Sequence, residues 1–254
     1  MTEFQYNSTN QTTIVYDENG KQIRRPALSF GKVFLWLGIG LLLTGILAFS
    51  IPEIFLHINV DPEVLANIYL GMIIGSVIVL LPCSIMMIFF QSKVKPLAIM
   101  ITYFIYVIAM GVLLSAIFLF VLAVEESGAL WTISLSFLIT SGIFMLMGLI
   151  GILVKKLNAI IPLVIALAVG VLVLSLVNFF LQVSMIYWII DFVSFGLILL
   201  VTALDIHNIK RIIDKAGDLP NATSLAIYCA YSLYVDFIYI FIKVLFYVLI
   251  ARRR

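Results

Sequence analysis

Seven long apolar runs dominate the sequence, at about 33–51, 65–90, 97–121, 129–153, 159–182, 185–207 and 222–250. A helical run of about twenty residues, rising ~1.5 Å per residue, covers about 30 Å, the hydrocarbon thickness of a bilayer. Inside that layer the backbone finds no water. Each N–H and C=O must then be satisfied within its own segment, which a helix does. The breaks between runs ("IPEIFLHINVDPE", "QSKVKP", "EESG", "KKLN", "DKAGDLPN") carry Pro, Gly, Asn or charge. Hydrophobic residues make up 64% of the 254, charged residues only 11%, and the mean hydropathy is +1.22. That leaves too little polar surface to coat a water-soluble domain of this size. The fold class is therefore all-α membrane protein, a seven-helix transmembrane bundle.

Charge orients the runs. Lys21, Arg24, Arg25 and Lys32 precede the first, Lys93 and Lys95 separate the second and third, Lys155 and Lys156 the fourth and fifth, and Lys210, Arg211 and Lys215 the sixth and seventh. The alternate connections hold Glu53, Asp61, Glu63, Glu125 and Glu126 and no Lys or Arg. Positive residues stay on the cytoplasmic side, so the N-terminus is expected there. Seven crossings then put the C-terminus outside, although the chain ends in "ARRR". Either that tail is tolerated or the last segment re-enters.

Residues 1–30 are polar and lack the apolar stretch of a cleavable signal, so they read as a disordered cytoplasmic tail, with 31–254 as the transmembrane domain. Sequons at Asn7 and Asn10 matter only if that tail meets a glycosylating lumen. A dispersed net charge of +2 gives no reason for a nucleic-acid partner. Cys83 and Cys229 fall inside runs, where free cysteine acts as a small apolar residue. Gly38, Gly40, Gly45, Gly71, Gly75, Gly142, Gly148 and Gly151 read as helix-packing positions.

Three carboxylates sit within the runs: Asp191, Asp205 and Asp236. An ionisable residue in a membrane helix is costly and points to function unless it escapes to the interface. Asp191 lies near the outer end of the sixth run, where the interface is within reach. Asp205 and Asp236 are different. "LDIHNIKRIIDKAG" keeps helical spacing beyond the sixth run, with Gly217 and Pro220 as a stop and Asn221 or Thr223 as the next cap. The last two helices thus form a hairpin that turns near position 219. Asp205 is fourteen residues before that point and Asp236 seventeen after it, so the two come level within about one helical turn.

Two such carboxylates cannot both ionise cheaply, so they titrate as a unit that shares a proton. Such a pair can serve as a proton-controlled latch or bind calcium when deprotonated. Lys243 lies two turns beyond Asp236 on the same helix. It can neutralise the pair or seal a path, but a lysine there snorkels readily to the outer interface. His207 points to another side of its helix from Asp205 and is expected at the surface.

"VTALDIHNIKRI" (Val201 to Ile212) followed by "AIYCAYSLYVDFIYIFIKVL" (Ala226 to Leu245) resembles the two C-terminal signatures of the transmembrane Bax inhibitor motif family. Asn178 in "LVNFF" is a weaker match. The resemblance implies six helices around a central seventh. It also implies a calcium-permeable leak channel controlled by pH through an aspartate pair, here Asp205 and Asp236 as both pH sensor and metal ligands. Protonation or bridging of the pair would favour the closed form. The chain departs from the family pattern in three places. "VIVLLPCSIMM" in the second run has no carboxylate to line a path, Tyr239 stands where Asn is common, and the basic latch falls to Lys93 or Lys95.

The leading expectation is therefore a pH-sensitive calcium leak channel. Its alternatives are a proton-coupled cation exchanger and a membrane scaffold that regulates partner proteins. An intramembrane aspartyl protease is disfavoured, because "TALD" lacks the glycines of a GxGD context, and no other enzyme motif is present, so no catalytic residues are assigned. No cofactor is expected beyond calcium as the transported or bound ion. The expected partners are the lipid bilayer, calcium and protons, with the chain read as a monomer in a bacterial cell membrane. Lys243 and Asp191 stand as further latch or path residues.

Overall fold

A computed structural model describes residues 12–16, 22–26, 28–57, 62–89, 96–125, 128–215 and 222–252. Two short strands, β1 (Thr12–Tyr16) and β2 (Gln22–Pro26), pair antiparallel with Thr12 opposite Pro26 and Tyr16 opposite Gln22. Over these ten residues the expected irregular tail is replaced by a ladder. The cause is local: "TTIVY" is rich in β-branched and aromatic residues, which suit a pleated strand.

Seven helices follow: α1 (Phe30–His57), α2 (Pro62–Phe89), α3 (Pro96–Val124), α4 (Ala129–Leu153), α5 (Ile161–Leu181), α6 (Ser184–Lys215) and α7 (Ala222–Arg252). A single 3₁₀ turn, Leu157–Ile160, leads into α5. All seven are long and apolar enough to cross a membrane. Their outward faces carry large apolar side chains such as Phe89, Phe180 and Phe192, as lipid contact requires. In their most apolar stretches α3 and α7 are half or more buried, against about a fifth or less for the other five.

The chain divides into two compact units, Met1–Ser127 with Ile212–Tyr234, and Gly128–Arg211 with Val235–Arg254. In the first, α3 packs on both α1 and α2. The Tyr103 hydroxyl donates to the Trp36 carbonyl at 2.8 Å, and Thr44 and Tyr234 share a 2.5 Å hydrogen bond. A side chain at Gly40 would collide with the Tyr103 hydroxyl, so this glycine is required by close approach. Gly38, Gly45, Gly71, Gly75 and Gly142 meet nothing within 4 Å and are not needed for packing in this way.

In the second unit α4 lies against α6 at Gly151, where an added Cβ would come within 2.6 Å of the Ala203 carbonyl oxygen. Phe237 of α7 meets Phe137 and Phe144 of α4 edge-on. The turn from α5 to α6 is closed by Asn178, whose side-chain oxygen accepts from the Val183 amide at 3.0 Å. Gln182 between them takes the left-handed conformation, φ 52°, which a non-glycine residue adopts only where its surroundings hold it.

α7 runs unbroken for 31 residues, ~46 Å at ~1.5 Å per residue. It is therefore long enough to cross completely, and the re-entrant alternative is set aside. Arg252 at its end donates to the Gly128 carbonyl at 3.0 Å. Arg252 near the basic C-terminus thus lies with the start of α4.

Candidate functional site

The site forms where α6 and α7 bring their acids together in the second unit. Asp236 is 8% exposed, and its Oδ2 is buried without a hydrogen-bond partner. The Asp205 carboxylate is near enough to act on it electrostatically, and the Thr202 side chain hydrogen-bonds to it. Asp205 itself is half-buried. Thr202 precedes Asp205 by three residues and so shares its face of α6.

The Thr202 hydroxyl also lies 2.9 Å from the Ile198 carbonyl, to which it donates. A hydroxyl has one proton to give. While it serves Ile198, it can only accept from a protonated Asp236. If Asp236 loses its proton, Thr202 must turn to donate to the carboxylate. The contact is thus sensitive to the protonation state of the acid beside it.

No group of three or more His, Cys, Asp or Glu clusters among the described residues. Two carboxylates alone cannot complete the six to eight oxygens that calcium takes, so hydroxyls, carbonyls or water would supply the rest.

Asp191 and Lys243, each expected to reach the interface by itself, meet one another. The two form an ion pair between α6 and α7, and Tyr247 donates a second hydrogen bond to Asp191 at 2.5 Å. Both charged side chains are about one-third exposed, 31% for Lys243 and 33% for Asp191. They border an open cavity of about 590 Å³ walled by Tyr187, Trp188, Tyr239 and Phe246. The signal for this pairing was present in the sequence. Counted from position 219, Asp191 is 28 residues back, Tyr247 is 28 forward and Lys243 is 24 forward.

His207 is also displaced from its expected place at the surface. It is 6% exposed, and its Nδ1 sits 3.1 Å from the Gly151 carbonyl oxygen. Lys210, one turn on, donates to the Ile152 carbonyl at 3.0 Å. Both side chains serve carbonyls that the end of α4 leaves without helical partners. The absent side chain at Gly151 allows α6 close enough for this. Lys93 and Lys95 lie outside the described residues, as do the sequons at Asn7 and Asn10. Cys83 and Cys229 are both buried and are not joined in a disulfide.

Comparison with known proteins agrees with this architecture. The "Inner membrane protein YbhL" of Escherichia coli (strain K12) is 26% identical over 223 residues, covering 84% of this chain and 88% of YbhL. The "Uncharacterized protein RP147" of Rickettsia prowazekii is 27% identical over 240 residues, 93% of this chain and 94% of RP147. The model of the family "Inhibitor of apoptosis-promoting Bax1" matches residues 28–253, a span that contains all seven helices. The chain is thus a multi-pass integral membrane protein and belongs to the Inhibitor of apoptosis-promoting Bax1 family.

Proposed function

We propose that this protein is a calcium-permeable leak channel whose gate is the Asp205–Asp236 pair. Its family is associated with calcium leak and ion transport, which supports the coarse reading. The observation that carries the finer one is Asp236, a buried acid with an unpartnered oxygen and a second acid as its electrostatic neighbour. A shared proton removes the repulsion and holds α6 and α7 together. Loss of that proton leaves two charges side by side in low dielectric, and the helices separate. Calcium competes with the proton for the same oxygens.

The likeness to an inner membrane protein supports placement in a bacterial cell membrane. The distribution of Lys and Arg supports a cytoplasmic N-terminus. The pair binds and releases ions and is assigned no hydrolytic role.

The test is calcium flux into liposomes carrying the purified protein, from about pH 5 to about pH 8. Flux is expected to rise with pH as the shared proton is lost. Asp205→Asn and Asp236→Asn should each flatten that dependence, because neither remaining pair can carry two charges. An unchanged profile in both variants would sink the gate. A strict requirement for proton counter-movement would replace the channel by an exchanger.

A further inference from the structure

The aspartate pair lies well below the outer end of α7, and a cation reaching it needs oxygen atoms on the way. The second run offers no carboxylate for this. α4 offers hydroxyls instead. Thr132, Ser136 and Thr140 follow one another at a spacing of four, which puts them on one face about 6 Å apart. All three are 0% exposed. A buried hydroxyl in a membrane helix commonly bonds the carbonyl four residues back. Ser136 does so, donating to the Thr132 carbonyl at 2.6 Å. Thr140 does not: its hydroxyl is buried with no partner.

Contacts within the second unit show which way this face points. At the outer end the Arg252 guanidinium donates to the Thr132 hydroxyl at 2.6 Å and to the Gly128 carbonyl at 3.0 Å. Further in, Phe137 and Phe144 bracket Thr140 along α4, and both rings meet Phe237, at 5.6 and 5.5 Å between centroids. Phe237 is the neighbour of Asp236 in the chain. The hydroxyl line therefore runs along the flank of α4 that faces α7, from Arg252 inward to the level of the aspartate pair. At the depth of its inner end two buried polar atoms lack partners, Thr140 Oγ1 on α4 and Asp236 Oδ2 on α7.

Gly128 makes room for the guanidinium in two ways. Its φ of 130° is a conformation that side chains rarely adopt, and a Cβ there would come within 2.9 Å of Arg252 Nη2.

We propose that the Thr132–Ser136–Thr140 line is the outer half of the cation route and that Arg252 closes it as a positively charged plug. Neutral hydroxyl oxygens are hard ligands that can replace part of a calcium ion's water. A guanidinium is charged at every accessible pH, so it repels a divalent cation whatever the state of the aspartates. The route then has two barriers in series, a fixed charge outside and a proton-dependent pair within. This rests on the aspartate-gate reading and adds to it the path and a second control.

Two measurements test it. In a Cys83→Ala, Cys229→Ala background, Thr140→Cys is exposed to a membrane-impermeant cationic methanethiosulfonate from the outer side, and modification is read by mass. The thiol should be protected while Arg252 is present and modified once Arg252→Gln opens the line. In liposomes, Arg252→Gln should raise calcium flux about tenfold, the lower range of what removing a local charge does to ion entry. Thr140→Val added to it should abolish that gain. Gly128→Ala, which pushes the guanidinium aside without removing it, should raise flux by a smaller factor and serves if Arg252→Gln does not fold.

A Thr140→Cys thiol equally protected in all backgrounds, or a gain that survives Thr140→Val, overturns the route. If the route variants are silent while Asp236→Asn flattens the pH profile, the gate stands without this path. If they act as expected while Asp236→Asn changes nothing, the path stands and the gate falls.

Discussion

α6 and α7 meet at two acidic sites, and the two are built in opposite ways. At the end of the hairpin away from its turn Asp191 has a cation, Lys243, and a hydroxyl donor, Tyr247, and all three border an open cavity. Deeper in the hairpin Asp236 has an acid as its electrostatic neighbour, a threonine that can give only one proton, and an oxygen with no partner. The first site has balanced charge and a partner for each carboxylate oxygen, as a structural contact requires. The second has neither, and a protein retains such a burden where it is used. The same residue type on the same helix pair thus meets opposite surroundings, decided by what faces it.

The largest expected effect separates the two sites by function. Asp236→Asn should flatten the pH profile of calcium flux, whereas Asp191→Asn should leave that profile where it is. A flattened profile in Asp191→Asn would erase the distinction. Next comes stability. Lys243→Gln alone leaves Asp191 without its counter-charge and should lower the unfolding free energy in mixed micelles by about 2 kcal/mol, less than for a fully buried pair because both groups are partly exposed. Combining it with Asp191→Asn should recover most of the loss, and a double-variant loss equal to the sum of the two single losses would show that the pair contributes nothing. The smallest effect belongs to Tyr247→Phe, which removes one hydrogen bond to a charged group. A loss of about 1 kcal/mol is expected in the same assay, with the pH profile of flux unmoved.

The glycines teach a similar lesson. "GMIIG" in α2 and Gly151 in α4 are equally suited to close packing on sequence grounds, yet only Gly151 has a backbone atom where its side chain would be. Small residues permit approach, and the fold decides which of them is approached.

Much of the molecule was legible from its sequence because it depends on distance along the chain. Apolar length marks the seven spans, and their bounds fall within about three residues of the helices except at the C-terminal ends of α1 and α6, which run on to His57 and Lys215. Counting through the hairpin sets depth, which is why Asp205 and Asp236 could be matched before any contact was seen. The same count puts Tyr247 level with Asp191 and Lys243 about one turn short of it. What the chain alone did not decide was rotation about each helix axis. In a membrane the lipid-facing side of a helix is as apolar as its buried side, so periodicity does not mark which face turns inward. The burial of His207 against Gly151, the pairing of Lys243 with Asp191, and the turn of Thr132, Ser136 and Thr140 toward α7 all depend on that rotation. Only the tertiary structure supplied it, because only packing distinguishes a protein neighbour from a lipid one.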